Sequence, residues 1–174
     1  MAKRRWSTDR IVSFSAIMIS LITLMVFIYQ TQLMAEQQRL SVLPHLSFGY
    51  INTGGPNFTV YLSNDGIGPA FVEKMEIQYK DSTYRKDLPT FLYQDVPEMD
   101  SIQNVVHANI VEGQLIPAGR RIEVLKVQNS LVDANRLYSL IGSLDFRAEL
   151  IYKSAYNERW LLSTDEFVPI PLED

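Results

Sequence analysis

Any chemistry in this chain would have to come from a short inventory. It holds two histidines, His45 and His107, two compact acidic runs at Glu98–Asp100 and Thr164–Phe167, and the glycine-rich stretch NDGIGPA from Asn64 to Ala70. A zinc centre needs further ligands at short spacing, and neither H-x-x-x-H nor H-E-x-x-H occurs. Both histidines therefore read as ordinary strand or surface residues. A calcium loop wants alternating oxygens and a turn glycine, as in D-x-D-x-D-G, which neither acidic run supplies. Both runs read as solvated faces, although paired carboxylates keep a glycosidase in view until coordinates place them. No G-x-S-x-G elbow and no S-x-x-K pair is present. The chain has no cysteine, which removes thiol catalysis, thiolate metal sites and lipidation on cysteine. No catalytic, metal or cofactor residue is expected.

The glycine-rich stretch admits two readings. In the plainer one, Asn64 or Asp65 folds its side chain onto the following amides, Gly66 and Gly68 take up positive φ, and Pro69 fixes its own φ, so that a corner joins two strands. In the sharper one, the amides of Asp65 to Gly68 converge on a phosphate or carboxylate as an anion nest. A phosphate loop normally leads into a helix and supplies a Lys followed by Ser or Thr, whereas here a strand follows and Lys74 is displaced. The corner is favoured.

The elements around this stretch belong to two unlike parts. Residues Ile11 to Ala35 carry no charge, and the apolar run Ile11–Tyr29 would span roughly 28 Å as a helix, close to the hydrocarbon thickness of a bilayer. A transmembrane helix is expected over 11–31, contacting lipid through Ile11 to Tyr29, with Trp6 and Tyr29 near its two ends. The first ten residues carry four bases and one acid, whereas only Arg39 follows the span closely. That asymmetry predicts a basic cytoplasmic tail at 1–10 and the remaining mass on the far side, periplasmic or extracellular at a bacterial inner membrane. Residues 36–174 hold twelve bases and nineteen acids, a balance poorly suited to nucleic acid.

Past the bilayer, good helix formers continue the helix as a stalk over 32–43, and Pro44 stops it. Ile22, Val26, Tyr29, Leu33 and Leu40 fall on a three-four spacing that offers a self-association seam; a lone lipid-facing helix is the simpler alternative. From 44 to 174 the period changes to two. Strands are expected at His45–Tyr50, Phe58–Ser63, Phe71–Tyr79, Val105–Val111, Ile122–Val127, Leu144–Tyr152 and Arg159–Ser163, forming an antiparallel sandwich-like domain. A helix over 129–143 would be capped by Asn129 or Ser130 and closed by Gly142, with Val132, Leu137, Leu140 and Ile141 on an apolar face and Leu131, Asn135 and Tyr138 near one side. A shorter helical turn is expected at Pro89–Tyr93, and a mobile loop at Asp95–Asn104. The cluster Tyr152, Tyr156 and Trp160 suggests a hairpin, with Trp160 either packed in the core or exposed beside Tyr156 as a partner contact.

Four stretches, YQTQLMAEQQRLSVLPHL, LSNDGIGPAFV, LIPAG and IYKSAYNERWLLS, resemble a loosely defined group of uncharacterised bacterial single-pass membrane proteins. These have one amino-terminal anchor helix and a small β-rich domain with an N-x-G-x-G-P-A turn. The resemblance covers most of the chain and implies architecture, not chemistry. The expected function is a membrane-anchored, non-catalytic interaction module, an accessory subunit of an envelope complex that meets a protein partner or a second copy through the stalk. The alternative is a ligand-binding or sensing domain for a small envelope component, an anion or a glycan, using the Asp65–Gly68 turn or the 95–104 loop.

Overall fold

The computed structural model describes residues 8–166 and 168–172. The first seven residues, with Lys3, Arg4, Arg5 and Trp6, and Phe167 of the second acidic run lie outside the described residues. The chain divides into two units, Met1–Ser41 and Val42–Asp174.

The first unit is one helix, α1 (Thr8–Leu40), of 33 residues with no side chain buried. At the helical rise it is roughly 50 Å long. It is long and apolar enough to cross a membrane. The hydroxyls of Ser13, Thr23 and Thr31 bond back to the carbonyls of Asp9, Ile19 and Phe27 at 2.8, 2.8 and 2.9 Å, so these polar groups need no water. The helix stops four residues before Pro44. Ser41 closes it, donating its amide to Gln37 O and its hydroxyl to Gln38 O. The stalk expected over 32–43 is therefore helical to Leu40, and Val42 and Leu43 belong to the domain.

The second unit is mostly β. In chain order it contains β1 (Leu46–Ile51), β2 (Thr59–Asn64), β3 (Ala70–Tyr79), β4 (Ser82–Tyr84), α2 (Leu88–Asp95), a 3-10 turn at Pro97–Ser101, β5 (Val105–His107), β6 (Leu115–Ile116), β7 (Arg121–Val127), α3 (Leu131–Ser143), β8 (Phe146–Lys153), β9 (Arg159–Ser163) and β10 (Ile170–Leu172). Two antiparallel sheets result. One runs β1-β2-β7-β5; the other runs β10-β9-β8-β3, with β4 and β6 both pairing with β3.

The period-two pattern explains the core. Phe58, Val60 and Leu62 from one sheet and Val72, Met75, Ile77, Ala148, Leu150 and Tyr152 from the other are all buried in one cluster. The core closes between the sheets, where a void beside Phe48, Val60, Val124 and Phe146 measures only about 20 Å³. Every member of the cluster lies in the domain, so its core is complete without α1. A bulge on β3 between Val72 and Lys74 re-aims Glu73, whose carboxylate meets Arg159 at 2.7 Å and Lys153 at 3.4 Å. Burial raises the Glu73 pKa, but the two cations outweigh this and hold it below the usual carboxylate value.

Tyr152, the largest fully buried side chain, accepts the Leu46 amide at 3.3 Å through its hydroxyl. Burial pushes the phenol up to about 12, against the smaller opposing pull of that amide. The folded value lies above the ordinary 10.0, so the stabilisation is intact below pH 10 and is lost as pH rises towards 12. The unfolding free energy from urea titrations at pH 8 to 12 should fall by about 2 kcal/mol over that window, and Tyr152→Phe should flatten the alkaline limb.

Several expectations change. The strand expected at Val105–Val111 ends at His107, because the chain turns to the buried carboxylate of Asp87, which accepts the Ile110 amide at 2.9 Å and Asn109 Nδ2 at 3.2 Å. Asp87 also caps α2, which extends the expected Pro89–Tyr93 turn to eight residues. The 95–104 segment is pinned as a 3-10 turn by buried Val96, Met99 and Ile102. Asp133 ties that turn to α3, accepting from Asn104 Nδ2 at 2.9 Å and the Gln103 amide at 3.3 Å. Hydrogen bonds from Asn104 and Ser130 keep the Asp133 carboxyl below its ordinary value despite burial. In α3, Ser130 is the cap, but Gly142 does not end the helix. The buried face is Ala134, Leu137, Leu140 and Ile141, leaving Leu131, Val132 and Tyr138 exposed.

Candidate functional site

The Asn64–Pro69 corner is built around a wholly buried asparagine. Asn64 Oδ1 accepts the amides of His45 and Gly66, both at 3.1 Å, while Nδ2 donates to the carbonyls of Gly68 at 2.8 Å and Ile116 at 3.0 Å. One side chain thus joins three segments: the chain entering the domain, the corner itself and β6. The entering segment adds its own bonds. The carbonyl of Leu43 takes the amides of Ile67 and Gly68 at 3.1 Å each, and the carbonyl of His45 takes that of Asp65 at 2.8 Å.

All four amides from Asp65 to Gly68 are therefore spent inside the protein, and the anion-nest reading is overturned. The corner reading stands, for a different reason than positive φ. The left-handed glycines are Gly54, Gly113 and Gly119, not Gly66 or Gly68. What Gly66 and Gly68 supply is room: a Cβ at Gly68 would fall on the Val42 carbonyl, and one at Gly66 on the His45 amide. The exposed Asp65 carboxylate accepts the hydroxyls of Ser47 at 2.6 Å and Ser63 at 3.1 Å, and Pro69 leads directly into β3.

The other singled-out residues are dispersed. His45 is exposed beside the corner, and His107 lies at the far edge of the same sheet with its ring 5.1 Å from Tyr93. Among the described residues no three His, Asp or Glu side chains gather as a metal set. Tyr156 and Trp160 flank the expected β8–β9 hairpin, but they do not form one surface. Trp160 packs against the core, stacked on Tyr152 at 5.6 Å, whereas Tyr156 is exposed in the turn.

An exposed aromatic surface that sequence reasoning missed lies between β1 and α3. Tyr50 and Tyr138 are 50% and 51% exposed, and each packs on buried Phe58, with ring centroids 5.8 and 5.5 Å apart. A cavity of about 490 Å³, lined by Tyr50, Tyr138, Ser139, Ile141, Gly142 and Ser143, opens beside them. The available signal was the absence of any charge in LSFGYI, the whole of β1. On the opposite face of that strand, Gly49 is covered by the ring of Tyr61, with the Arg121 guanidinium 4.2 Å from its centroid. In comparisons with family models, curated proteins and solved structures, none matches this chain.

Proposed function

We propose that this protein is a membrane-anchored, non-catalytic interaction module. Its α1 helix would cross a bacterial inner membrane with the basic end in the cytoplasm, and its β domain would work on the periplasmic side as an accessory subunit of an envelope complex. The observation that carries this reading is a helix of 33 residues with every apolar side chain exposed, joined to a domain whose core closes without it. In water such a surface is costly, at roughly 25 cal/mol per Å² of apolar area, and lipid removes that cost. The four basic residues before the span set the orientation.

The absence of cysteine makes the test clean. Full-length protein should stay in the membrane pellet after alkaline carbonate extraction. An Ala155→Cys variant should react with a membrane-impermeant maleimide in spheroplasts, and a Ser7→Cys variant only after permeabilisation. The reverse labelling pattern would overturn the orientation, and recovery in the soluble fraction would overturn the anchor. Detergent-solubilised protein that runs as a lone monomer, with no partner after crosslinking in cells, would overturn the interaction role.

A further inference from the structure

Among the described residues, all but one of the sheet edges are guarded. β4 and β5 have three residues each, β6 has two, and β10 has three with Pro171 in the middle. β1 has six residues and no charge, proline or register shift. An open row of main-chain donors and acceptors templates pairing with another chain, and natural edges are normally blunted by brevity, charge, proline or a bulge. β1 uses none of these devices.

The register identifies the open groups. The Asp65 amide bonds to the His45 carbonyl, so 45/65, 47/63, 49/61 and 51/59 are the hydrogen-bonded pairs with β2. The main-chain groups of Leu46, Phe48 and Tyr50 then point away from β2. The Leu46 amide is taken by the Tyr152 hydroxyl, but those of Phe48 and Tyr50 have no partner among the described residues. Two residues apart, they match the repeat of an added strand. The 490 Å³ cavity lies beside Tyr50, and none of its six lining residues is charged.

We propose that the β1 edge binds an extended, uncharged segment of a different polypeptide, which adds as a fifth strand to the β1-β2-β7-β5 sheet and places one apolar side chain between Tyr50 and Tyr138. Main-chain bonds at Phe48 and Tyr50 hold the segment, and the cavity selects its side chain. A second copy fits less well: in a β1-to-β1 pairing the side chains on that face, Leu46, Phe48 and Tyr50, already pack against their own domain and cannot fill the neighbour's cavity. This deepens the interaction-module reading and rests on it.

The domain from Val42 onward, which carries its complete core, suits the test. The probe is a blocked heptapeptide alternating threonine with valine and carrying leucine at its centre, titrated to 1 mM while amide resonances are followed. Expected are shifts and slowed hydrogen exchange at Phe48 and Tyr50, with ring shifts at Tyr138. Peptides N-methylated on alternate amides should split, one set binding at least tenfold more weakly and the other unchanged, because only one edge of the peptide faces β1. Tyr50→Pro, which removes an outward amide but leaves the bonds through Gly49 and Ile51, should also weaken binding at least tenfold. No response at Phe48 and Tyr50, equal binding of both N-methylated sets, or protection of these amides by self-association without peptide would each overturn the proposal. Loss of this site with a crosslinked partner still present in cells would leave the interaction role standing.

Discussion

Gly68→Ala should abolish stable folding of the domain. The added methyl would occupy the position of the Val42 carbonyl, and the obstruction is backbone that is itself fixed by hydrogen bonds rather than the end of a flexible side chain. Relief requires moving Val42–Pro44 away from the corner, which breaks the Leu43 carbonyl's bonds to Ile67 and Gly68 and exposes buried Pro44. The expected loss is on the order of 4 kcal/mol or more, a size reserved for a few mechanisms, backbone obstruction and buried unsatisfied groups among them. Urea unfolding of the domain would measure it. Gly142→Ala is the matched control: its Cβ meets nothing within 4 Å and it sits in α3, so the same substitution should stabilise by up to about 1 kcal/mol. Equal effects from the two variants would refute the close-approach account.

Asn64→Asp should be nearly as damaging, although it changes a single group. Nδ2 donates to two carbonyls, those of Gly68 and Ile116, and a carboxylate there would face both acceptors with no proton to offer. At neutral pH the cost should be about 4 kcal/mol, combining two lost bonds with a buried charge. The variant's defect should also depend on pH. Burial and the two carbonyls raise the introduced carboxyl's folded pKa above its unfolded value, so the protonated form, which can donate one bond, is favoured at low pH. Relative to the parent, the variant should recover below about pH 4 and lose stability as pH rises through the raised value. A pH-independent difference in urea midpoint would show that the two amide bonds do not carry the corner.

The same corner shows how far the sequence reaches. The stretch NDGIGPA is visibly a turn between two period-two runs, and Asn64 is visibly able to bond the amide two residues on. That it also bonds His45 and Ile116, 19 and 52 residues away, depends on how the chain returns, which no local pattern encodes. The glycines were legible as special, but the cause was close approach to Val42 and His45 rather than backbone handedness. The long elements were readable because their signals accumulate over length: α1 from an unbroken uncharged apolar run, and β3 and β8 from twofold alternation. β4, β6 and β10, of two or three residues, are too short to have a period and exist because β3 and β9 offer them partners. In α3 three of the four residues expected on the apolar face, Leu137, Leu140 and Ile141, are buried, and Ala134 takes the place expected of Val132. Leu131 and Val132 are as apolar as Leu137, but only the 134/137/140/141 stripe meets the core. The β1 edge could not be read at all, since a strand's position in its sheet follows from topology.

The clamp at Val42–His45 also gives the domain a mechanical character. Any tension arriving through the amino end is borne first by the Leu43 and His45 main-chain bonds and the Asn64 amide group, before it reaches the interior ladders. The load is shared among several short bonds at one point, so the first residues would detach together rather than peel one by one. A pull too weak to break that set would leave β1 in register with β2.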